Sequence, residues 1–133
     1  MPTSVEPEAT YLLDTSAILA YLLNEPGGER LPALHRHSAI PFIAISELYA
    51  AIWIRFGHAK ADQVIATIRE WGVPWLWPTE ESVFLAGRLR AIHRLGLGDS
   101  IVAALAFTHR AILVTNDTDF HVLQPELQLL ALR

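Results

Sequence analysis

The sequence predicts an α/β fold: a three-layer α/β/α sandwich built on a central, mainly parallel sheet. Three observations predict it. Short apolar runs of strand length alternate with longer segments of helical period along most of the chain. The strand-like runs, such as Tyr11-Leu12-Leu13 and Ile112-Leu113-Val114, are apolar throughout, as strands covered on both faces are. With 133 residues, 52% of them hydrophobic and 18% charged, the chain has the size and apolar content of one domain with a proper core.

Residues 1–9 are polar and proline-containing and are expected to form a flexible tail, leaving 10–133 as a single domain. Thr10 to Leu13 reads as a strand and Ser16 to Leu23 as a helix ending before Asn24-Glu25-Pro26. Gly28 to His37 reads as a second helix if Pro32 lies in its first turn. Ile40 to Ala44 is strand-like, Ser46 to Phe56 helical up to Gly57, and His58 to Trp71 helical up to Gly72. Val73 to Trp77 reads as a strand bounded by Pro78. Thr79 then caps a helix running to Leu95, with Glu80 and Glu81 suited to its positive end. Asp99 to His109 reads as a helix, Ile112 to Thr115 as a strand, and Leu127 to Leu132 as a final strand.

Composition excludes several classes of function. The chain has no cysteine, so disulfides, thiol catalysis and thiolate metal sites are ruled out, and a reducing cytoplasm suits it. The net charge of −4 argues against binding nucleic acid through a large basic patch. No apolar run approaches the ~18 residues of a membrane helix, and the first residues lack the basic-then-apolar order of a signal peptide. No membrane role is expected.

The acids stand alone. Asp14 is the only charged residue between Glu8 and Glu25, Glu47 the only one between Arg36 and Arg55, and Asp99 the only one between Arg94 and Arg110. Asp117 and Asp119 are the only two between Arg110 and Glu126. Each lies just past an apolar strand or opens a helix, and open α/β sheets form their sites beyond the carboxyl ends of the strands. Taken singly, Asp14 and Asp99 could be helix caps and Asp117 and Asp119 turn residues. Glu47, in the first turn of its helix, is harder to dismiss, because a solvated helix face carries several charges and this one has a single acid among apolar residues. Several carboxylates on one edge repel one another, and a hard divalent cation with oxygen ligands, Mg²⁺ or Mn²⁺, compensates them.

Other signals are weaker. His35 and His37 read as a solvated helix end, and Gly96-Leu97-Gly98 lacks the third glycine of a phosphate loop. Arg88, Arg90 and Arg94 read as a solvated face, with phosphate contact the alternative. Trp71, Trp75 and Trp77 read as core or interface residues, with base stacking the alternative.

Four segments, taken in order, resemble the PIN-domain nucleases: Asp14-Thr15-Ser16 after a strand, Ser46-Glu47-Leu48-Tyr49-Ala50, Gly98-Asp99-Ser100-Ile101-Val102-Ala103-Ala104, and Val114-Thr115-Asn116-Asp117-Thr118-Asp119-Phe120. The likeness runs from Tyr11 to the C-terminus, and a free-standing chain of this size is similar to the VapC-type toxins of toxin–antitoxin pairs. The resemblance implies a Mg²⁺-dependent endoribonuclease, with Mn²⁺ as a substitute, that leaves a 5′-phosphate and a 3′-hydroxyl. It also implies a homodimer held inactive by a VapB-type antitoxin. Carried over, Asp14, Glu47 and Asp99 match the first three acids, with Asp14 and Asp99 the most direct metal ligands. Asp117 and Asp119 both fit the fourth, Asp117 being favoured. Glu47 would position or deprotonate the attacking water or hold a second metal, and Thr15, Ser16 and Thr115 match supporting hydroxyls. A PIN-fold domain that binds RNA or metal without catalysis, and a PIN nuclease with a non-toxin role, share the same acids. A phosphoacceptor receiver needs a lysine after a late strand, and Lys60, the only lysine, is misplaced for it.

Overall fold

Five short strands make one sheet: β1 (Tyr11–Leu13), β2 (Ser38–Pro41), β3 (Trp75–Leu76), β4 (Ile112–Val114) and β5 (Leu129–Leu130). Their order is β3-β2-β1-β4-β5, and every pairing is parallel. The structure is a computed structural model that describes residues 10–133; the stretch 1–9, expected as a tail, lies outside the described residues. The helices are α1 (Thr15–Leu22), α2 (Phe42–Phe56), α3 (His58–Glu70), α4 (Glu80–His93) and α5 (Leu97–Thr108), with 3₁₀ segments at Gly28–His37 and Thr118–Leu123.

Alternation along the strands divides the core in two. Leu12, Ala39 and Leu113 face a cluster formed with Ala86, Leu89, Val102, Leu105 and Phe120, which come from α4, α5 and the second 3₁₀ segment. Their strand neighbours Leu13, Ile40 and Val114 face the opposite cluster, with Ile18, Leu48, Ile52 and Ile68 from α1, α2 and α3. Side chains of successive strand residues point to opposite faces, so apolar strands with helices on both sides give the three layers. Among the described residues no helix is long and apolar enough to cross a membrane.

Several elements differ from the sequence expectation, among them β3, which is only Trp75–Leu76 and not Val73 to Trp77. The second strand lies at Ser38–Pro41, and α2 starts at Phe42, so Glu47 sits in its second turn and not its first. The β-branched Ile43 reads as strand, but it packs from a helix against a core cluster. Gly28–His37 is 3₁₀, with Pro32 inside it, and not an α-helix. The last strand is only Leu129–Leu130, while Leu127 and Leu132 are buried beside it.

Thr79 caps α4 as expected: its Oγ1 accepts from the Ser82 amide at 3.2 Å, and Ser82 Oγ accepts from the Thr79 amide at 2.8 Å. Thr79→Ala should cost about 1 kcal/mol, read as a lower denaturant midpoint with an unchanged slope.

All strands being parallel, their carboxyl ends share one edge. The register pairs Leu13 with Val114 and Pro41 with Leu76. Leu12 pairs with Ala39, so two residues on, Asp14 lies level with Pro41. One step past Leu13–Val114 it lies level with Thr115.

Candidate active site

Asp14 leaves β1 at the centre of that edge, tied by its amide to the Val114 carbonyl at 3.0 Å. Its backbone is extended at the N-cap position of α1, and its carbonyl accepts from the Ala17 amide, but its side chain makes no capping bond. The carboxylate is buried and instead accepts on Oδ2 from Thr115 Oγ1 at 2.8 Å and from Ser16 Oγ at 3.2 Å. Ser16 Oγ accepts from the Asn116 amide at 3.0 Å, and Thr115 Oγ1 accepts from the Asp117 amide at 3.0 Å. The hydroxyls between β1 and β4 therefore fix the buried acid and the loop after β4 in one network.

That loop carries the next two acids. Asp117 Oδ1 accepts from the Asp119 amide at 2.9 Å, so Asp117 does serve as a turn residue where the 3₁₀ segment begins. Phe120, fully buried, anchors the turn in the core. Asn116 Oδ1 accepts from the Leu132 amide at 3.0 Å and stitches the chain end to the site. The sequence showed Asn116 only as part of a segment; this role depends on contact with the last strand, and no local signal reports it.

Asp99 is the third residue of α5, whose N-cap is Gly96, and it makes no cap. It is half-buried, and one carboxylate oxygen each from Asp99, Asp117 and Asp119 lie within 4.8 Å of one another. Glu47 projects, exposed, from α2 and accepts on Oε1 from Thr15 Oγ1 at 3.0 Å. Gly98 faces it: a Cβ there would stand 3.4 Å from Glu47 Oε2.

The acids feel one another's charge. Burial pushes Asp99 up to about 6, helped by the charges of Asp117, Asp14, Asp119 and Glu47. Burial also raises Asp14, against the opposing hydrogen bonds from Thr115, the Thr15 amide and Ser16. Glu47 is raised by partial burial and by Asp14 and Asp117, against the Thr15 hydrogen bond. No arginine or lysine neutralises the cluster: among the described residues the only ion pair is His58 with Asp62, elsewhere on the surface. An all-oxygen, all-anionic donor set without a basic partner fits a hard divalent cation.

The sign of the pH effect follows. Between its ordinary value of 3.8 and about 6, folded Asp99 holds a proton that the unfolded chain has released. Without a cation, stability therefore falls as pH rises through this window, and the deficit is complete above it. Melting in chelator at pH 5 and pH 7 should show a smaller pH 5 advantage in Asp99→Asn than in the unaltered chain. Equal pH dependence in the two would contradict the repulsion.

Two comparisons bear on the fold and the family. The PIN domain family model matches residues 11–124, a stretch that holds β1 to β4 and the five acids. The fold is similar to that of VapBC from Salmonella typhimurium bound to DNA, with a TM-score of 0.77 at 18% identity, covering 93% of this chain and 98% of that one. VapBC-1 from nontypeable Haemophilus influenzae gives 0.74 at 23%, covering 92% and 97%. VapBC2 from Rickettsia felis, bound to a promoter DNA fragment, gives 0.74 at 21%, covering 91% and 97%. Among curated proteins none matches the sequence. The chain belongs to the PIN domain family, with the fold of the VapBC toxin–antitoxin structures.

Proposed function

We propose that the protein is a Mg²⁺-dependent endoribonuclease, the toxin of a VapBC-type pair. The observation that carries the reading is the grouping of Asp99, Asp117 and Asp119, one oxygen of each within 4.8 Å of the others, near Asp14 and Glu47 and, among the described residues, with no basic partner. PIN membership and the likeness to VapBC structures support it.

Asp99, Asp117 and Asp119 would hold the cation, with Asp14 at its buried side. When bound, Mg²⁺ or Mn²⁺ supplies neutralisation of the phosphate charge and a lower pKa for an attacking water. Thr115 and Ser16 fix Asp14 through Oδ2 and so hold its carboxylate in place beside the other acids. Glu47, held by Thr15 and open to solvent, orients the water and takes its proton.

A VapB-type antitoxin and a second copy of the chain are the proposed partners. Exposed Trp53, Ile54 and Phe56 at the end of α2, and Val83 and Ile92 on α4, supply apolar surface suited to such contacts. The location consistent with an RNA substrate is the cytoplasm.

The test is incubation of the purified protein with a panel of structured and single-stranded RNAs in Mg²⁺, Mn²⁺ or chelator. The proposal predicts cleavage with either cation, none in chelator, and 5′-phosphate ends. Chelator-resistant cleavage, or none under any condition, would count against it.

A further inference from the structure

Among the four tryptophans, Trp77 is the one left open at the carboxyl edge. Trp71 packs edge-on against Tyr21, with ring centroids 5.8 Å apart. Trp75 is covered by the Arg69 guanidinium, 4.4 Å from its ring centre. Trp53 lies eleven residues beyond Phe42 along α2, roughly 16 Å from the edge at the helical rise. Trp77 is 65% exposed.

Its position follows from strand register. Pro41 and Leu76 are paired, so the next residues, Phe42 and Trp77, leave the sheet side by side. Their rings stack, with centroids 5.1 Å apart and planes 20° from parallel. Phe42 is packed against the core cluster that also holds α5, so it fixes one face of the indole while the exposure of Trp77 leaves the other free. β3 lies two strands from β1. At about 4.8 Å per strand this puts Trp77 roughly 10 Å along the edge from Asp14.

We propose that Trp77, backed by Phe42, is a stacking platform for a base of single-stranded RNA flanking the scissile phosphate; this rests on the ribonuclease reading above. The charge of the molecule says why one is needed. A chain of net charge −4, with five acids at its site, gains little from counterion release on binding RNA. Stacking on an aromatic face works on any base and carries no charge. Trp77 is thus a positioning residue: it places the strand, and the carboxylates act on the phosphate.

The experiment compares wild type, Trp77→Ala and Trp77→Phe in steady-state cleavage of a short single-stranded RNA with Mg²⁺, at low and high salt, with the mass of each protein from sedimentation. Trp77→Ala should raise KM roughly 5- to 150-fold, with kcat little changed and the same ratio at both salt concentrations. Trp77→Phe should restore most of the loss, and all three should have the same mass. An unchanged KM in Trp77→Ala, beside active wild type, overturns the platform and leaves the nuclease reading standing. A KM change accompanied by a lower mass makes Trp77 a protein-interface residue and also overturns it. Wild type that cleaves no RNA overturns both.

Discussion

Asp99→Asn is expected to abolish cation-dependent RNA cleavage while making the cation-free protein more stable. The two effects share one cause. Asp99 is half-buried among four other carboxylates, and their charges with its own desolvation push it up to about 6. Ionised at neutral pH, it costs folding free energy and offers an oxygen to a cation. Asparagine is close in size, keeps one oxygen and loses the charge, so repulsion falls and the cation has one anionic ligand fewer. Cation chemistry on a phosphate is worth several kcal/mol, so the loss of rate should reach roughly 10² to 10⁴. After allowance for solvent screening of a partly exposed group, the gain in stability should be roughly 1–2 kcal/mol, a rise of several degrees in Tm. Cleavage assays and melting in chelator check the two halves. Loss of both activity and stability would mean that Asp99 is a structural group.

The second large effect falls on Phe120. It is fully buried, it belongs to the cluster containing Leu12, Val102 and Leu113, and it follows the turn made by Asp117 and Asp119. Phe120→Ala removes most of a ring from a packed interior and should cost about 3–5 kcal/mol. For a domain whose total stability is of order 5–15 kcal/mol, that lowers Tm by roughly 10 °C or more. Phe120→Leu, closer in volume, should lose far less. Since the same ring anchors the turn, Phe120→Ala should also weaken cation binding at temperatures where it remains folded. Denaturation monitored by circular dichroism, with and without Mn²⁺, separates the two effects.

Much of this was legible in the chain itself, because the strands are uniformly apolar and the acids stand isolated at their ends. Leu12-Leu13 and Leu113-Val114 are covered on both faces, as strands of parallel sheets are, and the parallel pairing sends Asp14 and Asp117 to the same edge. Other features depend on contacts that local pattern does not report. Phe42 and Ile43 look like strand residues, yet the chain turns into α2 directly after Pro41. As isolated residues, Asp14 and Asp99 fit helix caps. In the fold Asp14 turns to hydroxyls from Ser16 and from Thr115, a hundred residues away, and Asp99 lies inside the first turn of α5. For Asp117 the turn and the cluster readings hold together, since one oxygen caps while the side chain stays within 4.8 Å of its neighbours. The open face of Trp77 likewise depends on which neighbour covers each tryptophan.

The central claim is that the carboxylates form a divalent-cation site, and thermal unfolding with increasing Mn²⁺ tests it most directly. A cation that binds only the folded state stabilises it by about 2.7 kcal/mol at a hundred times its Kd. Tm of the unaltered protein should therefore climb with Mn²⁺ into the millimolar range, and Asp99→Asn, starting higher, should stay nearly flat. An equal rise in both proteins, or no rise in either, would contradict a cation site built on Asp99.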